Sequence, residues 1–125
     1  MTEQKEMRPP VKAVLLAVDL GQYDAQRSLE ELAALAEANG MEPVGEVLQK
    51  RDAIDVATVL GEGRVAEAKL VCQNLHAEVA IFDGELSGSQ IRNLEQALEV
   101  EVIDRTMLIL EIFSSRAITN EGKLQ

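Results

Sequence analysis

The apolar positions of this chain fall into short continuous runs and spaced rows that alternate from one end to the other. Val11 to Val18 (VKAVLLAV) is broken only by Lys12, as expected for a strand covered on both sheet faces. It ends at Asp19-Leu20-Gly21. Ser28 and Glu31 then stand at the spacing of a capping box, in which each side chain satisfies an otherwise orphan backbone amide. Leu29, Leu32, Leu35 and Ala36 follow at helical period and turn one apolar face toward the sheet. Asn39-Gly40 supplies a left-handed stop. Val44 to Leu48 reads as a second strand with a charged exit, Gln49-Lys50-Arg51-Asp52.

After the glycine stretch VLGEGRVAE (59–67), Val65, Ala68, Val71, Cys72 and Leu75 trace the inner face of a second helix. Glu78 to Phe82 is a third strand, closed by Asp83-Gly84. Ser87 and Gln90 repeat the capping-box spacing, and Ile91, Leu94 and Leu98 share one face of the helix behind them. Val100 to Ile103 is a short fourth strand. TMLILEIF (106–113) is apolar nearly all round and fits a buried helix or another strand; Thr106 as a cap and the βα rhythm favour the helix. Strands alternating with helices predict an α/β fold: a four-stranded, mainly parallel sheet with helices on both faces. The expected boundaries are a loose polar tail over 1–10, an α/β domain over 11–117, and a new element starting at 118–125. Gly122-Lys123-Leu124-Gln125 opens a pattern without a cap, so the chain reads as a piece of a longer protein.

Composition narrows this picture. A length of 125 residues with 46% hydrophobic content suits one domain with its own core. That core is aliphatic, because Tyr23, Phe82 and Phe113 are the only aromatic residues. Cys72 is the sole cysteine, which rules out an internal disulfide and points to a reduced setting. No apolar run reaches membrane-spanning length and no charged leader precedes one, so a cytoplasmic protein without a membrane span is expected. The formal charge of −10 opposes binding of free nucleic acid, which requires a basic surplus. No free DNA partner is expected, and free RNA should be repelled.

Candidate chemistry is sparse. Three strands finish on an aspartate (Asp19, Asp83, Asp104), at the sheet edge where ligands of parallel folds usually bind. A metal or phosphoryl-acceptor site is one reading; carboxylates accepting amides in the turn after each strand is the favoured one. A receiver domain is excluded, since it needs an acid pair after the first strand and five βα units. Gly61-x-Gly63 lacks the third glycine of the dinucleotide fingerprint, and there is no P-loop motif. It is either a phosphate cradle, with Arg64 at the helix start, or a turn. His76 has no nucleophile or metal-binding companion and lies near a helix end. Cys72 falls on an apolar face as a small core residue. No catalytic residue and no metal site emerge.

Five stretches, in order, closely resemble the N-terminal domain of HflX-type GTPases: VDLGQYDAQRSLEELAALAEANG, VGEVLQKRD, ATVLGEGRVAEAKLV, AIFDGELSGSQIRNLEQAL and VIDRTMLILEIFSSRAITNEGKLQ. The likeness covers nearly all of the chain after Pro10. Its most specific parts are the glycine loop with its basic residue, FD-x-E-L-S with QxRNLE, and the run from VIDRT to EGKLQ. Two departures are minor: Val59 stands where an aromatic often precedes the loop's leucine, and Arg64 replaces the usual lysine. The resemblance implies that a long antiparallel helical linker and a G domain follow. It also implies a ribosome-associated GTPase acting on the large ribosomal subunit and its rRNA. GTP and Mg²⁺ belong to the G domain, so no cofactor and no catalysis are expected within this chain. Some members are described as binding ATP through this region, which makes Gly61, Gly63 and Arg64 purine-nucleotide candidates. With the helical linker reaching the RNA, an acidic domain needs only local basic contacts. Lys50, Arg51, Arg64, Arg92, Arg105 and Arg116 are the candidates for these; otherwise they are solvated surface.

Overall fold

In the computed structural model, residues 10–110 are described. Arg116, residues 111–113 of the apolar segment, the 118–125 element and nearly all of the 1–10 tail lie outside that span. Within it the order is β1 (Val11–Asp19), α1 (Ala25–Ala38), β2 (Met41–Lys50), α2 (Glu62–Asn74), β3 (Val79–Phe82), α3 (Gly88–Leu98) and β4 (Glu101–Asp104). Residues 105–110 begin a further helix. The four strands lie in the order β2-β1-β3-β4 and every pairing is parallel. The α/β expectation therefore holds, with a wholly parallel sheet.

Strand β1 runs through the middle and explains its own apolarity. Ala13, Leu15 and Ala17 face one layer, while Val14, Leu16 and Val18 face the other. The first layer holds α1 and Leu108 of the last helix; the second holds α2, α3 and the buried pair Val59-Leu60. Complete burial of a leucine such as Leu15 or Leu32 contributes about 1.5–3 kcal/mol.

Strand β2 is longer than its apolar run predicts. It takes in Met41, Glu42 and Pro43, because an edge strand tolerates a residue without an amide hydrogen. The ladder skips Val44, pairing Ala13 with Pro43 and Val14 with Gly45. A Cβ at Gly45 would meet Leu75 Cδ1 at 3.0 Å and Val71 Cγ1 at 3.1 Å, so glycine there lets α2 lie close to the sheet.

The start of α1 differs from expectation. Asp24, not Ser28, is the N-cap, its side chain accepting the Arg27 amide. Aspartate caps as well as serine does, and a start at Ala25 adds a turn whose Ala25 continues the buried row of Leu29, Leu32 and Ala36. Ser28 and Glu31 turn their side chains toward Arg105 instead. The last helix is also capped earlier than Thr106: Asp104 Oδ1 accepts the Met107 amide at 2.9 Å. The other signals hold. Asn39 caps α1 before Gly40 at φ +80°, and Ser87 with Gln90 forms a complete capping box on α3.

Because β1 connects through α1 to β2 on one side and β3 lies on its other side, the direction in which strands are added to the sheet switches between β1 and β3. The carboxyl edge there is the crevice in which parallel folds place ligands. Asp19 and Asp83 flank it. No described helix is long and apolar enough to cross a membrane.

Candidate functional site at the carboxyl edge of the sheet

Two groups of residues occupy this edge: the glycine loop beside β1 and β2, and a charged junction beside β3 and β4. The loop leaves β2 after Lys50. Asp55 organises it, its Oδ1 accepting the amides of Ala57 at 2.8 Å and Thr58 at 3.2 Å. Those two bonds, in that order of weight, hold its carboxyl below the ordinary range. A bridge closes between Asp55 and Val59. Val59 is buried and sits at φ +60°, a conformation that costs a β-branched residue about 1–3 kcal/mol. From α3, Gln90 Nε2 and Asn93 Nδ2 donate to the carbonyls of Val56 and Ala57, each at 3.1 Å. The loop is thus fixed from both ends and from the side.

Gly61 caps α2 without a side chain. Its amide donates to Gln49 Oε1 at 2.8 Å. A Cβ at this position would meet Arg51 Nη1 and Gln49 Nε2 at 3.2 Å, so a larger residue at Gly61 has to displace these two side-chain ends. Gly63 differs, since nothing lies within 4 Å of its added Cβ. The first helical bond joins the Val65 amide to the Gly61 carbonyl, so the amides of Glu62, Gly63 and Arg64 have no intrahelical acceptor. Arg51 Nη1 is buried beside Gly61 without a hydrogen-bond partner. Arg64, however, turns along the helix to Glu67 at 2.8 Å, both side chains about half exposed, and Glu62 places a negative charge in the first turn. A shallow hollow of about 340 Å³ adjoins the loop, lined by Asp19, Leu20, Gly21, Lys50, Arg51 and Asp52.

The three strand-end aspartates part company. Asp19 Oδ1 accepts the Gly21 amide at 2.9 Å. Asp104 accepts the Leu86 amide with Oδ2 and the Met107 amide with Oδ1. Both are the turn-forming carboxylates that the sequence favours. Asp83 instead buries its side chain to 2% exposure and pairs Oδ1 with Arg105 Nη1 at 2.9 Å. Its Oδ2 is buried without a partner. Arg105 reaches on to Ser28 Oγ at 3.3 Å and Glu31 Oε1 at 3.2 Å, while its amide donates to the Gly84 carbonyl. Burial pushes the guanidinium pKa down, but Asp83 first and then Glu31 outweigh this and hold it above its ordinary value. Nearby Tyr23 is raised by burial, then by Asp83.

The family model for GTP-binding GTPase N-terminal domains matches residues 26–114. The chain belongs to this family. It is 45% identical over 127 residues to the GTPase HflX of Lacrimispora saccharolytica, covering 100% of this chain and 30% of that protein. Identity to the GTPase HflX of Escherichia coli is 40% over 114 residues, covering 91% of this chain and 27% of that one. The chain thus spans about 30% of the length of such relatives. A solved GTP-binding protein of the archaeon Sulfolobus solfataricus, in complex with GDP, shares the fold with a TM-score of 0.61. Identity there is 20%, covering 83% of this chain and 30% of that one. The HflX resemblance carried by the motifs is borne out.

Within this HflX-type domain the candidate residues scatter. Lys50 ends β2 and lines the hollow, Arg51 adjoins Gly61, and Gly63 and Arg64 open α2. Arg92 is exposed on α3. Arg105 belongs to the junction on the other layer, and Arg116 lies outside the described residues. His76 ends α2 in the left-handed conformation at φ +57°. Cys72 is buried, and that burial raises its thiol pKa. Among the described residues, no three of His, Cys, Asp and Glu are grouped to hold a metal ion. Sequence reasoning missed the Asp83–Arg105 pair and the clamp from Gln90 and Asn93. The signal for both lay in the family-specific segments FDGELS, VIDRT and QIRNLE.

Proposed function

We propose that this chain is the docking and regulatory N-terminal domain of a ribosome-associated GTPase that acts on the large ribosomal subunit. GTP and Mg²⁺ are held by a G domain beyond this chain, which itself hydrolyses nothing. The observation that carries the reading is the family match over residues 26–114 in a chain spanning about 30% of its HflX relatives. The protein is cytoplasmic and joins ribosomes through the longer protein. Lys50, Arg51, Arg64 and Arg92 then make local phosphate contacts, while the remainder of an acidic domain faces away from RNA. Pelleting with purified large subunits tests this: the longer protein co-sediments and Lys50→Glu/Arg51→Glu weakens it. Equal co-sedimentation of that variant, or GTP turnover by the purified chain above a contamination control, would overturn it.

One feature favours a second reading, a purine-nucleotide site at residues 61–64. The unpartnered Arg51 Nη1 lies beside Gly61, the N-cap of α2, and a helix start is a place suited to a phosphate. Gly61's bond to Gln49, the Arg64–Glu67 pair and Glu62 all count against it. Calorimetry with ATP decides between them, since a nucleotide site gives heat that Arg51→Ala removes.

A further inference from the structure

Strand β2 borders the sheet, and its backbone groups alternate between the inner and the outer side. The Asp19 carbonyl accepts the Arg51 amide at 3.0 Å, and Asp19 stands in register with Lys50. Val47, Gln49 and Arg51 therefore turn their backbone groups toward β1, while Glu46, Leu48 and Lys50 turn theirs outward. No described strand pairs with that outer side. Such a border is a template for another strand. Pro43 and the skipped Val44 interrupt the ladder before Glu46, so the usable stretch is short. Its side chains lie on the α1 face, in register with Leu15, Ala17 and Asp19. Leu48 is partly buried there, whereas Glu46 and Lys50 are exposed. Neither charge joins an ion pair among the described residues.

Opposite charges two residues either side of Leu48 define the strand that this border fits. An antiparallel copy centred on Leu48 sets Leu48 against itself and each Glu46 against Lys50 of the other copy. Centring on Glu46 or on Lys50 sets that charge against its own copy. Centring between either of them and Leu48 sets a charge against leucine. Opposite charges directly across a ladder attract and like charges repel, so one register is selected. Helices α1 and α2 each rest on both β1 and β2. With strands about 4.8 Å apart, each helix then stands about 10 Å from its copy, close to a helix-packing distance.

We propose that the outer side of β2 pairs with the same strand of a second copy of the chain, antiparallel about Leu48, joining the two sheets into one. Glu46 and Lys50 select the register of this pairing instead of keeping strands away. The pairing does not depend on the ribosome reading, but a Lys50 held in this way is withheld from phosphates.

Sedimentation equilibrium of the 125-residue chain over a wide concentration range tests it. A short ladder gives a weak, concentration-dependent dimer. Glu46→Lys sets lysine against Lys50, and Lys50→Glu sets glutamate against Glu46. Each exchanges two attractive contacts for two repulsive ones and weakens the dimer about tenfold or more. The swap Glu46→Lys/Lys50→Glu restores it. Mixing the two single variants restores it as well, since every contact across the axis is then of opposite sign. Both positions are exposed, so circular dichroism of the variants stays that of the wild type. A chain that is monomeric throughout, or a dimer that both single variants leave at wild-type strength, overturns the proposal. So does a mixture that associates no more than either variant alone.

Discussion

Replacing Arg105 with methionine keeps most of the side chain's length and removes its charge. Among the described residues, Arg105 is the only side chain donating to Asp83, whose carboxylate is 2% exposed and already has one oxygen without a partner. Arg105→Met therefore leaves a buried charge uncompensated, and breaking such a pair costs about 3–5 kcal/mol. The Arg105 side chain is 28% exposed, so water relieves part of the loss and the lower end, about 3 kcal/mol, is expected. The second arm of the pair behaves differently. Glu31 is 60% exposed, and Glu31→Ala should cost no more than about 0.5 kcal/mol. Urea unfolding followed by far-ultraviolet circular dichroism suits a chain without tryptophan. With a slope of about 2 kcal/mol/M, Arg105→Met moves the midpoint down by roughly 1.5 M and Glu31→Ala by about 0.25 M. The double variant Asp83→Leu/Arg105→Met should lie well above Arg105→Met alone, because removing both charges also removes the desolvation cost. A shift below about 0.3 M for Arg105→Met, or equal shifts for the two single variants, refutes the reasoning.

The two glycines of the loop should respond with opposite signs. Gly63→Ala meets open space and raises stability by up to about 1 kcal/mol through helix propensity, whereas Gly61→Ala crowds Arg51 and Gln49 and lowers it; thermal unfolding reads both. Cys72, buried with a raised thiol pKa, should resist a thiol reagent at pH 8 in the native chain and react fully in 8 M urea (roughly the limit of the unfolding scale). Rapid native labelling contradicts that. The Asp55 carboxyl is depressed in the folded chain by the Ala57 and Thr58 amides. Its contribution to stability is therefore complete above the unfolded value near 4 and is lost as pH falls through the lower folded value. A carbon-detected titration of Asp55 with a midpoint at or above the unfolded value would contradict the turn geometry.

The layering was legible because β1 has no room for polar residues on either face. A strand buried on both sides declares itself by a run such as Ala13 to Val18, and Leu29, Leu32, Leu94 and Leu98 then mark which face each helix turns inward. The caps were only half legible. Ser87 and Gln90 satisfy each other locally, so their spacing is enough. Ser28 and Glu31 show the same spacing, yet Asp24 competes for the same task four residues earlier and Arg105 claims both side chains from across the layer. Nothing local reveals a partner 77 positions away. The glycine loop was ambiguous for a related reason. Gly61 answers to Gln49 and Arg51 on the preceding strand and its exit, while Gly63 answers to no neighbouring atom.

The junction poses a sharper question than the loop, because a buried ion pair is seldom the most stable way to fill a space. Asp19 needs only one local amide to close its turn. At the other end of the crevice, three ties join the β3–α3 turn to the exit from β4: Asp83 to Arg105, Asp104 to the Leu86 amide, and the Arg105 amide to the Gly84 carbonyl. Leucine and methionine in place of Asp83 and Arg105 could hold these elements together by contact alone. They would not fix direction, whereas a guanidinium binding Asp83, Ser28 and Glu31 at once fixes the last helix against both β3 and α1. The geometry of departure from β4 is therefore what two of the three most specific segments of the chain jointly determine.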